Sequence, residues 1–490
     1  MSVEIDNQFI YESLDKAKIF NEQIFQQPQK LIDLTAEIVQ SVDSPLMLSH
    51  LGIVITPRVW SESAKKTFVG IAQTSRLGLQ KIANYLAQSS DDLAMGIKKN
   101  MLGGKHFDLY KGTLKLEAEK GISVYPYEVG RTDIINGGAL EVNAACLDAP
   151  ADLHDLSLFH RTLMKKLSGN LEVDVNHVPE DSVVELIVKT MLLQASANDQ
   201  GNTSPVLAWL GTAAEIYGTR DKGGYWPREL RFKQIADAYL KKVGSKATFE
   251  LVCIEQLNNA DLVDKVSSAY RNLLPEDMET QTPEAIGGLC KLATTGKLIG
   301  SLTAELLTNK AAMAVITSPD LSSKAGIKAE EWKHYAGAFP PTTFLSSEYI
   351  WWDDEAIKLD KLMTEHRDGL YFKLSNGEEG HGVWPGEVVT NDKLKHFIEL
   401  AEQDPYAVIV QKKLTHVPFE AVVVDINEFK LDLMQGETDM GTHFQLLKGQ
   451  PNPEGNIVMT RFAPKNGYSV TTNSGGDGVF RPVATYLKQE

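Results

Sequence analysis

The sequence feature that most constrains the fold is a glycine-rich turn between two apolar stretches, at residues 371–383. The first apolar stretch carries Lys373. The turn holds three glycines and two carboxylates, namely Gly377, Glu378, Glu379, Gly380 and Gly382. Glycines let the backbone approach a bulky anion with its N–H groups, and a lysine adds a mobile positive charge for a phosphate. Because a carboxylate in the turn would repel a phosphate, Glu379 predicts Mg²⁺ between the two. The alternative is an exposed hairpin with charged flanks.

A second polar segment surrounds Asn136-Gly137-Gly138, a typical hairpin turn between two strand-like runs. Residues two apart on a strand point the same way, so Arg131 and Asp133 share one face. Glu141 and Asn143 share another face, and pairing across the hairpin would bring the two pairs together. The acidic and amide oxygens predict a Mg²⁺ site, with the arginine left to bind an anion. The alternative is an amphipathic hairpin whose polar side faces water.

The length and charge of the chain limit its class. At 490 residues the chain exceeds one average domain, so we expect two or three subdomains. Its content of 43% apolar and 23% charged residues is typical of a globular protein. The net charge of −16 argues against a nucleic acid or an anionic membrane as the main partner. An acidic protein that binds ATP must therefore concentrate positive charge locally, or use a metal.

The cellular location is also constrained by the sequence. Three cysteines are scattered without the spacing of a pair, which fits a reducing compartment. The amino terminus lacks the pattern of a signal peptide, and no apolar run reaches membrane-spanning length. We expect a cytoplasmic protein with no membrane partner, and the sequence leaves open whether it forms a homo-oligomer.

The rest of the chain divides by its periodicity. Residues from about 8 to 100 have helical periodicity with few breakers. A strand–helix–strand pattern from Pro205 to Leu257 is typical of a small α/β unit. From Ala304 to Ile316 the periodicity predicts one helix with Asn309 and Lys310 at its centre.

The last part of the chain adds three more candidates. A buried strand that begins at Val408 turns polar at Gln411 and Lys412. Further on, Arg461 and Lys465 either bind a substrate carboxylate or belong to a solvated basic loop. The chain offers no convincing Ser/His/Asp or Cys/His arrangement for a protein nucleophile.

Taken in order, these motifs resemble those of the ATP-grasp superfamily. They look most like its circularly permuted branch, which includes glutathionylspermidine synthase and the eukaryotic type of glutathione synthetase. The ordered motifs are an Arg-x-Asp and Glu-x-Asn segment, an α/β module, an Asn-Lys helix, a Lys-to-Glu-Gly loop, a strand ending in Gln and a Thr-Thr-Asn stretch at residues 471–473. In most ATP-grasp enzymes the acidic and asparagine ligands follow the glycine-rich loop. Here they precede it, as in the permuted branch.

The sequence also departs from the family pattern. Leu374 stands where the family commonly has proline after the lysine. Glu378 stands where an arginine often precedes the Glu-Gly pair, and Lys412 where an acidic residue is usual. These changes leave the identity of the substrates open.

The resemblance implies an ATP-grasp fold of the α+β or α/β class, circularly permuted. The four implied parts are a helical N-terminal region at 1–120, a metal-binding part of the core at 121–200, a small α/β substrate-side subdomain at 201–300 and a nucleotide-binding part with a glycine-rich lid at 301–490.

The resemblance further implies an ATP-dependent carboxylate–amine ligase that forms an amide or peptide bond through an acyl phosphate. Lys310 and Lys373 would hold the ATP phosphates, the backbone from Gly377 to Gly382 would close over them, and main-chain atoms near Gln411 and Lys412 would receive adenine. The expected Mg²⁺ ligands are Asp133, Glu141, Asn143 and Glu379. Arg131 would bind the reacting carboxylate or the transferred phosphoryl group. The alternatives are a small-molecule kinase and a non-catalytic nucleotide-binding protein.

Overall fold

The protein mixes helices with several β-sheets, as the expected α+β class requires. The structure is a computed structural model that describes residues 17–41, 53–56, 58–120, 127–144, 147, 150–167, 182–198, 201–217, 228–352, 354–377, 382–415, 417–425, 428, 430–452, 455–464, 481–483 and 485–488. Everything said below about the structure concerns these residues.

The helices occupy the amino-terminal region and the connections between strands. They are α1 (residues 17–25), α2 (Pro28–Ser41), α3 (Glu62–Gln88), α4 (Asp92–Leu102), α5 (Phe107–Glu119), α6 (Pro150–Leu167), α7 (Val183–Asn198), α8 (Ala213–Tyr217), α9 (Arg228–Lys242), α10 (Ala260–Lys265), α11 (Pro275–Glu279), α12 (Pro283–Thr294), α13 (Leu302–Thr308), α14 (Ala311–Thr317), α15 (Pro319–Lys324), α16 (Ala329–Ala336), α17 (Leu359–Glu365) and α18 (Asn391–Gln403).

The strands form three larger sheets and two small pairings. They are β1 (Ile53–Val54), β2 (Arg58–Ser61), β3 (Tyr127–Ile135), β4 (Gly138–Asn143), β5 (Val206–Gly211), β6 (Thr248–Cys253), β7 (Val266–Arg271), β8 (Leu298–Ile299), β9 (Thr342–Phe344), β10 (Tyr349–Trp352), β11 (Glu355–Lys358), β12 (Leu370–Leu374), β13 (Val383–Pro385), β14 (Val408–Lys412), β15 (Val417–Asp425), β16 (Lys430–Leu447), β17 (Gln450–Pro451), β18 (Ile457–Pro464), β19 (Arg481–Val483) and β20 (Thr485–Lys488).

The largest sheet is antiparallel and is built around the long strand β16. β16 pairs with β15 and β3 along one edge and with β18 along the other, while β4 extends the sheet beyond β3. The strands come from both ends of the chain, so the ranges 121–200 and 301–490 contribute to one sheet. The β3–β4 turn has positive φ at Asn136 and Gly137, which is the backbone of a tight two-residue hairpin.

Helix α3 covers one face of this sheet. Its apolar residues recur every three or four positions, as Phe68, Ile71, Leu79 and Ile82 do, and all are buried. Arg76 on the same helix pairs with Glu128 of β3, with Nε 2.6 Å from Oε1. Because helix α3 covers this face, the side chains of the candidate site lie on the opposite face of the sheet.

The small α/β unit is a parallel sheet in the order β6-β5-β7-β8. The strand–helix–strand pattern predicted from Pro205 to Leu257 is present as β5, α9 and β6. Trp209 of this sheet stacks on Tyr270, with ring centroids 5.0 Å apart, and it packs against Phe232 of α9. Burial of these aromatic rings supplies much of the apolar core between the sheet and helices α7 and α9.

A further antiparallel sheet has the strand order β13-β12-β14-β9. We name it the second functional sheet, because its strand β12 carries Lys373. β12 and β13 flank the glycine-rich turn and pair with each other, so Lys373 leads directly into the turn. On the face away from the functional site, Phe372 and Val410 pack against Phe397 of α18. Successive strand residues alternate faces, so Lys373 and Gln411 point the other way.

The single helix predicted from Ala304 to Ile316 is wrong. The structure has two helices, α13 and α14, with Asn309 and Lys310 in the break between them. Asn309 has extended backbone angles, and its side chain accepts a hydrogen bond from the N–H of Ala311 at 2.7 Å. An asparagine that caps the following helix can end the preceding one, because its side chain competes with the backbone ladder.

None of the described helices combines the length and apolar character that crossing a membrane requires.

Candidate functional site

The floor of the candidate site is the β3–β4 hairpin, on the face of the large sheet away from α3. The register places Arg131 opposite Asn143 and Asp133 opposite Glu141. Arg131 binds Asp133 with two contacts, Nε to Oδ1 at 2.7 Å and a terminal nitrogen to Oδ2 at 3.1 Å. The hairpin therefore brings together the four residues that the sequence singled out, with Arg131 and Asp133 buried and Glu141 and Asn143 partly exposed.

A second arginine reaches the same carboxylate from β18. Arg461 pairs with Asp439 of β16 through Nε–Oδ1 and terminal nitrogen–Oδ2 contacts of 2.6 and 2.7 Å. It also lies 3.0 Å from Oδ2 of Asp133. Arg461 is 6% exposed, so the alternative of a solvated basic loop is wrong for this residue.

The buried charges perturb each other strongly. Burial alone would raise the pKa of Asp133, but Arg131 and Arg461 outweigh burial and hold that pKa below its usual range. Burial raises the pKa of Asp439 despite Arg461, and the charge of Asp133 adds to the rise. Asp133 is thus a firmly ionised anchor between two guanidinium groups.

The neighbouring residues of β16 give the floor its shape. Gly441 lies opposite Asp133, and a Cβ atom there would come 3.0 Å from Cδ of Arg131. The missing side chain therefore leaves room for the stem of Arg131. His443 lies opposite Arg131, and burial together with the arginine lowers the pKa of His443 to about 3. His443 is neutral at physiological pH.

The roof of the site is the second functional sheet. Lys373 of β12 donates to Oε1 of Gln411 on β14, over 2.6 Å. Burial lowers the pKa of Lys373 to about 8, against the opposing effect of Glu141, and the charge of Lys310 lowers it further. These mutual electrostatic effects show that Lys310, Lys373 and Glu141 lie close together, in the region between the two sheets that we name the cleft.

Lys310 joins the floor to the roof. Its Nζ lies 3.2 Å from Oε2 of Glu141 and also donates to the carbonyl oxygen of Gly377. Its backbone N–H donates to the carbonyl of Ser375 at 2.8 Å, which fixes the lysine to the root of the glycine-rich turn. The break between α13 and α14 is what places this side chain between the two sheets.

The main chain at the end of β14 is where the resemblance places adenine. The N–H of Lys412 donates to the carbonyl of Pro341, and that of Lys413 donates to the carbonyl of Gly369, both at 2.8 Å. These two N–H groups are therefore engaged, and the expectation that main-chain atoms near Gln411 and Lys412 receive adenine stays a prediction. The Lys412 ammonium lies 4.6 Å from the ring centroid of Trp352.

Several candidates fall outside the described part of the chain: Glu378, Glu379, Gly380, Lys465 and the stretch 471–473. Of the turn itself, Gly377 and Gly382 are described. Gly382 has a φ of 78°, and its carbonyl accepts from the N–H of Leu374 at 2.8 Å.

The described donors fit Mg²⁺ in part. Within the described ranges, no cluster of three or more His, Cys, Asp or Glu side chains is arranged to hold a metal ion. Both oxygens of Asp133 are already bound by arginine, whereas Glu141 and Asn143 are partly exposed. Mg²⁺ keeps several waters and needs only one or two carboxylates besides substrate phosphates. A Glu–Asn pair beside two lysines is compatible with that requirement.

The sequence reasoning missed one residue, Asp439, and one contact of a residue that it did name, Gln411. Asp439 is the partner of Arg461, and the side chain of Gln411, rather than its main chain, contacts Lys373. The signal for Asp439 was the alternation of Asp439, Gly441 and His443, three unusual residues on one strand face. The Gln411 contact had no local signal, because its partner lies on another strand.

Comparison with known proteins yields one kind of match. No protein-family model matches the chain, and no curated protein matches it. Among solved structures, the apo form of a glutathione synthetase-like effector from Globodera pallida aligns with a TM-score of 0.61 and 14% identity. The alignment covers 94% of this chain and 98% of that one. The likeness shows that the chain has a glutathione synthetase-like fold.

Proposed function

We propose that this chain is an ATP-dependent carboxylate–amine ligase with a circularly permuted ATP-grasp fold. The observation that carries the proposal is the position of Lys310, which contacts both Glu141 on the large sheet and Gly377 in the turn that follows β12 of the second sheet. A lysine that spans two sheets beside a second buried lysine, Lys373, suits a polyphosphate that lies between the sheets.

The charge balance of the cleft supports an anionic ligand. Among the described side chains that interact there, four are cationic and three are carboxylates: Arg131, Arg461, Lys310 and Lys373 against Asp133, Asp439 and Glu141. This local concentration of positive charge stands in a chain with a net charge of −16. Buried charge is costly without compensation, so a bound anion that pairs with these cations would be favoured.

In the proposed site, Lys310 and Lys373 hold the phosphates of ATP. Glu141 and Asn143 hold Mg²⁺, and Glu379 adds a further carboxylate. The bound metal supplies charge neutralisation at the phosphate oxygens. Asp133 holds the two arginines in position, because its carboxylate oxygens pair with Arg131 and Arg461. The backbone from Gly377 to Gly382 covers the phosphates and keeps water away from the reacting centre.

The two arginines suit the carboxylate substrate. Arg131 and Arg461 are fixed by buried acidic partners, so their guanidinium groups are held in place rather than flexible. Preorganised donors stabilise charge in a transition state better than mobile ones, since they need no rearrangement. Lys465 remains a second candidate for binding the substrate carboxylate.

The proposed reaction has two steps. An oxygen of the carboxylate substrate attacks the γ-phosphorus of ATP, the bond to the β-phosphate oxygen breaks, and ADP leaves. The nitrogen of the amine then attacks the acyl carbon, phosphate leaves with the bonding electrons, and the nitrogen loses a proton. Neither step needs a protein nucleophile, which agrees with the lack of such a group in the sequence.

The test is a screen for ADP release with Mg²⁺·ATP and pairs of small acids and amines, followed by mass analysis of any product. The ligase proposal predicts an amide product and ADP formation that requires both substrates. ADP released with the acid alone, with a stable phosphorylated acid as product, indicates a kinase. Nucleotide binding without ADP release under any pair indicates a non-catalytic protein, and no nucleotide binding at all overturns the proposal.

A further inference from the structure

The contact between Lys373 and Gln411 carries an inference that deepens the proposed function and rests on it. Lys373 is 5% exposed, and the charges of Glu141, Lys310 and Asp133 act on its ammonium. Its hydrogen-bond acceptor is a neutral amide, Gln411 Oε1, at 2.6 Å. Within the described part of the chain, no carboxylate lies within ion-pair distance of this lysine, and Glu141 acts on it only over a longer range.

The orientation of the Gln411 amide is fixed from behind. Its Nε2 lies 3.0 Å from Oγ1 of Thr342, and that hydroxyl donates to the carbonyl of Pro340 at 2.8 Å. A hydroxyl has a single proton, so Oγ1 must accept from Gln411. The amide nitrogen therefore faces Thr342, and the oxygen has to face Lys373.

Thr342 is itself held in place. Its carbonyl oxygen lies 2.6 Å from the hydroxyl of Thr317 at the end of α14, and that hydroxyl also lies 2.8 Å from the carbonyl of Met313. Strand β9 pairs with β14 so that Thr342 lies directly opposite Gln411. The chain of contacts from helix α14 through Thr342 to Gln411 is buried throughout, which makes it rigid.

We propose that Gln411 is a positioning residue that aims the ammonium of Lys373 into the cleft without neutralising it. A glutamate at this place would hold the lysine equally well but would pair with its charge and compete with a phosphate for it. An apolar residue would leave the buried ammonium without an acceptor. An amide whose direction is set by Thr342 provides orientation and leaves the positive charge available to an anionic ligand.

The first experiment follows protonation of Lys373 without any nucleotide. Competitive labelling of lysines with acetic anhydride, read by mass spectrometry across pH, reports how much Lys373 is uncharged. The charged groups that act on Lys373 are Lys310, Glu141 and Asp133, and the variants leave all three unchanged. Gln411→Glu should lower Lys373 labelling at about pH 7 by about tenfold, which corresponds to a rise of about one unit in the pKa of Lys373. Gln403→Glu adds the same charge at an exposed position and should leave the labelling unchanged.

A second variant, Thr342→Val, tests the same inference in case Gln411→Glu does not fold. Thr342→Val removes the partner of the amide without changing any charge, so Gln411 can turn away from Lys373. The midpoint of Lys373 labelling should then move to lower pH, opposite to the Gln411→Glu shift. A merely structural role would not give opposite shifts. Identical pH profiles in wild type and both variants would overturn the inference.

The link to ligand binding is tested with Mg²⁺ and ADP by calorimetry. Gln411→Glu should weaken ADP binding by about tenfold in the wild-type background but have no further effect when combined with Lys373→Met. A further loss in the double variant would show that Gln411 acts independently of the lysine. If wild type binds no ADP, the proposed function fails, while the labelling experiment still decides the role of Gln411.

Discussion

The guanidinium of Arg461 lies 3.0 Å from Oδ2 of Asp133, although the two residues are on strands from opposite halves of the chain. The same arginine pairs with Asp439, so one buried cation ties β18 to both β16 and β3. This contact organises the floor of the proposed site and also contributes to stability, and the two roles can be separated by experiment.

Removing the guanidinium should destabilise the fold strongly. Arg461→Met leaves Asp133 and Asp439 buried with less compensation, and we expect a loss of about 3 kcal/mol or more in the free energy of unfolding. The measurement is urea unfolding followed by circular dichroism. Lys430→Met is the control, since its pair with Asp432 at 2.9 Å is exposed and should contribute little to the free energy of unfolding. Equal losses in both variants would contradict a special role for the buried arginine.

Adding a methyl group at Gly441 should disturb the proposed substrate arginine. The new Cβ would meet Cδ of Arg131 at 3.0 Å and Cε of Met459 at 3.1 Å, so both side chains must shift. We expect Gly441→Ala to destabilise by about 1–3 kcal/mol and to raise the KM for the acid substrate more than that for ATP. Gly112→Ala is the control, because that helical position is open and alanine favours a helix by about 0.5–1 kcal/mol.

Glu141 should govern the response to metal. Glu141→Gln removes the charge of the proposed Mg²⁺ ligand and of the partner of Lys310, so metal-dependent nucleotide binding should weaken by at least about tenfold. Titration with Mg²⁺ at constant ATP measures the effect, and removal of metal by EDTA should abolish the difference between wild type and variant. An unchanged Mg²⁺ requirement would argue against the hairpin as a metal site.

Lys373 should be required for turnover but not for folding. Lys373→Ala removes a buried cation whose partner is neutral, so we expect loss of ADP formation by about a hundredfold or more with the thermal unfolding midpoint retained. The assay is ADP release in the presence of an active substrate pair. Lys361→Ala, at an exposed helical position, serves as the control. Retained turnover in Lys373→Ala would remove this lysine from the mechanism.

Nucleotide binding should fall at alkaline pH. Burial lowers the pKa of Lys373 to about 8, so this lysine is charged below pH 8 and loses its proton as the pH rises through that value. An anion prefers the charged form, and the contribution of Lys373 to ADP affinity should therefore be present at pH 7 and decline by up to about tenfold per pH unit above 8. Calorimetry from about pH 6.5 to 9.5, the range over which the lysine titrates, measures the decline, and Lys373→Met should lack it.

The sequence by itself determined the local parts of the site. Asn136-Gly137 specifies a tight turn, and alternation along the two strands then puts Arg131 and Asp133 next to Glu141 and Asn143. The apolar run before the glycine-rich turn likewise specifies the strand that carries Lys373. These features follow from backbone preferences that depend on only a few residues adjacent in the sequence.

Only the tertiary structure decided which distant groups meet. The Lys310 bridge, the break beside Asn309 and the pairing of Arg461 with Asp439 and Asp133 all join segments far apart in the chain. Such contacts depend on how sheets and helices pack, and packing is set by the sum of many weak interactions rather than by any short pattern. For the same reason the sequence identified Gln411 only as the end of a strand. Its side-chain partner, Lys373, follows only from the pairing of β12 with β14 in the folded structure.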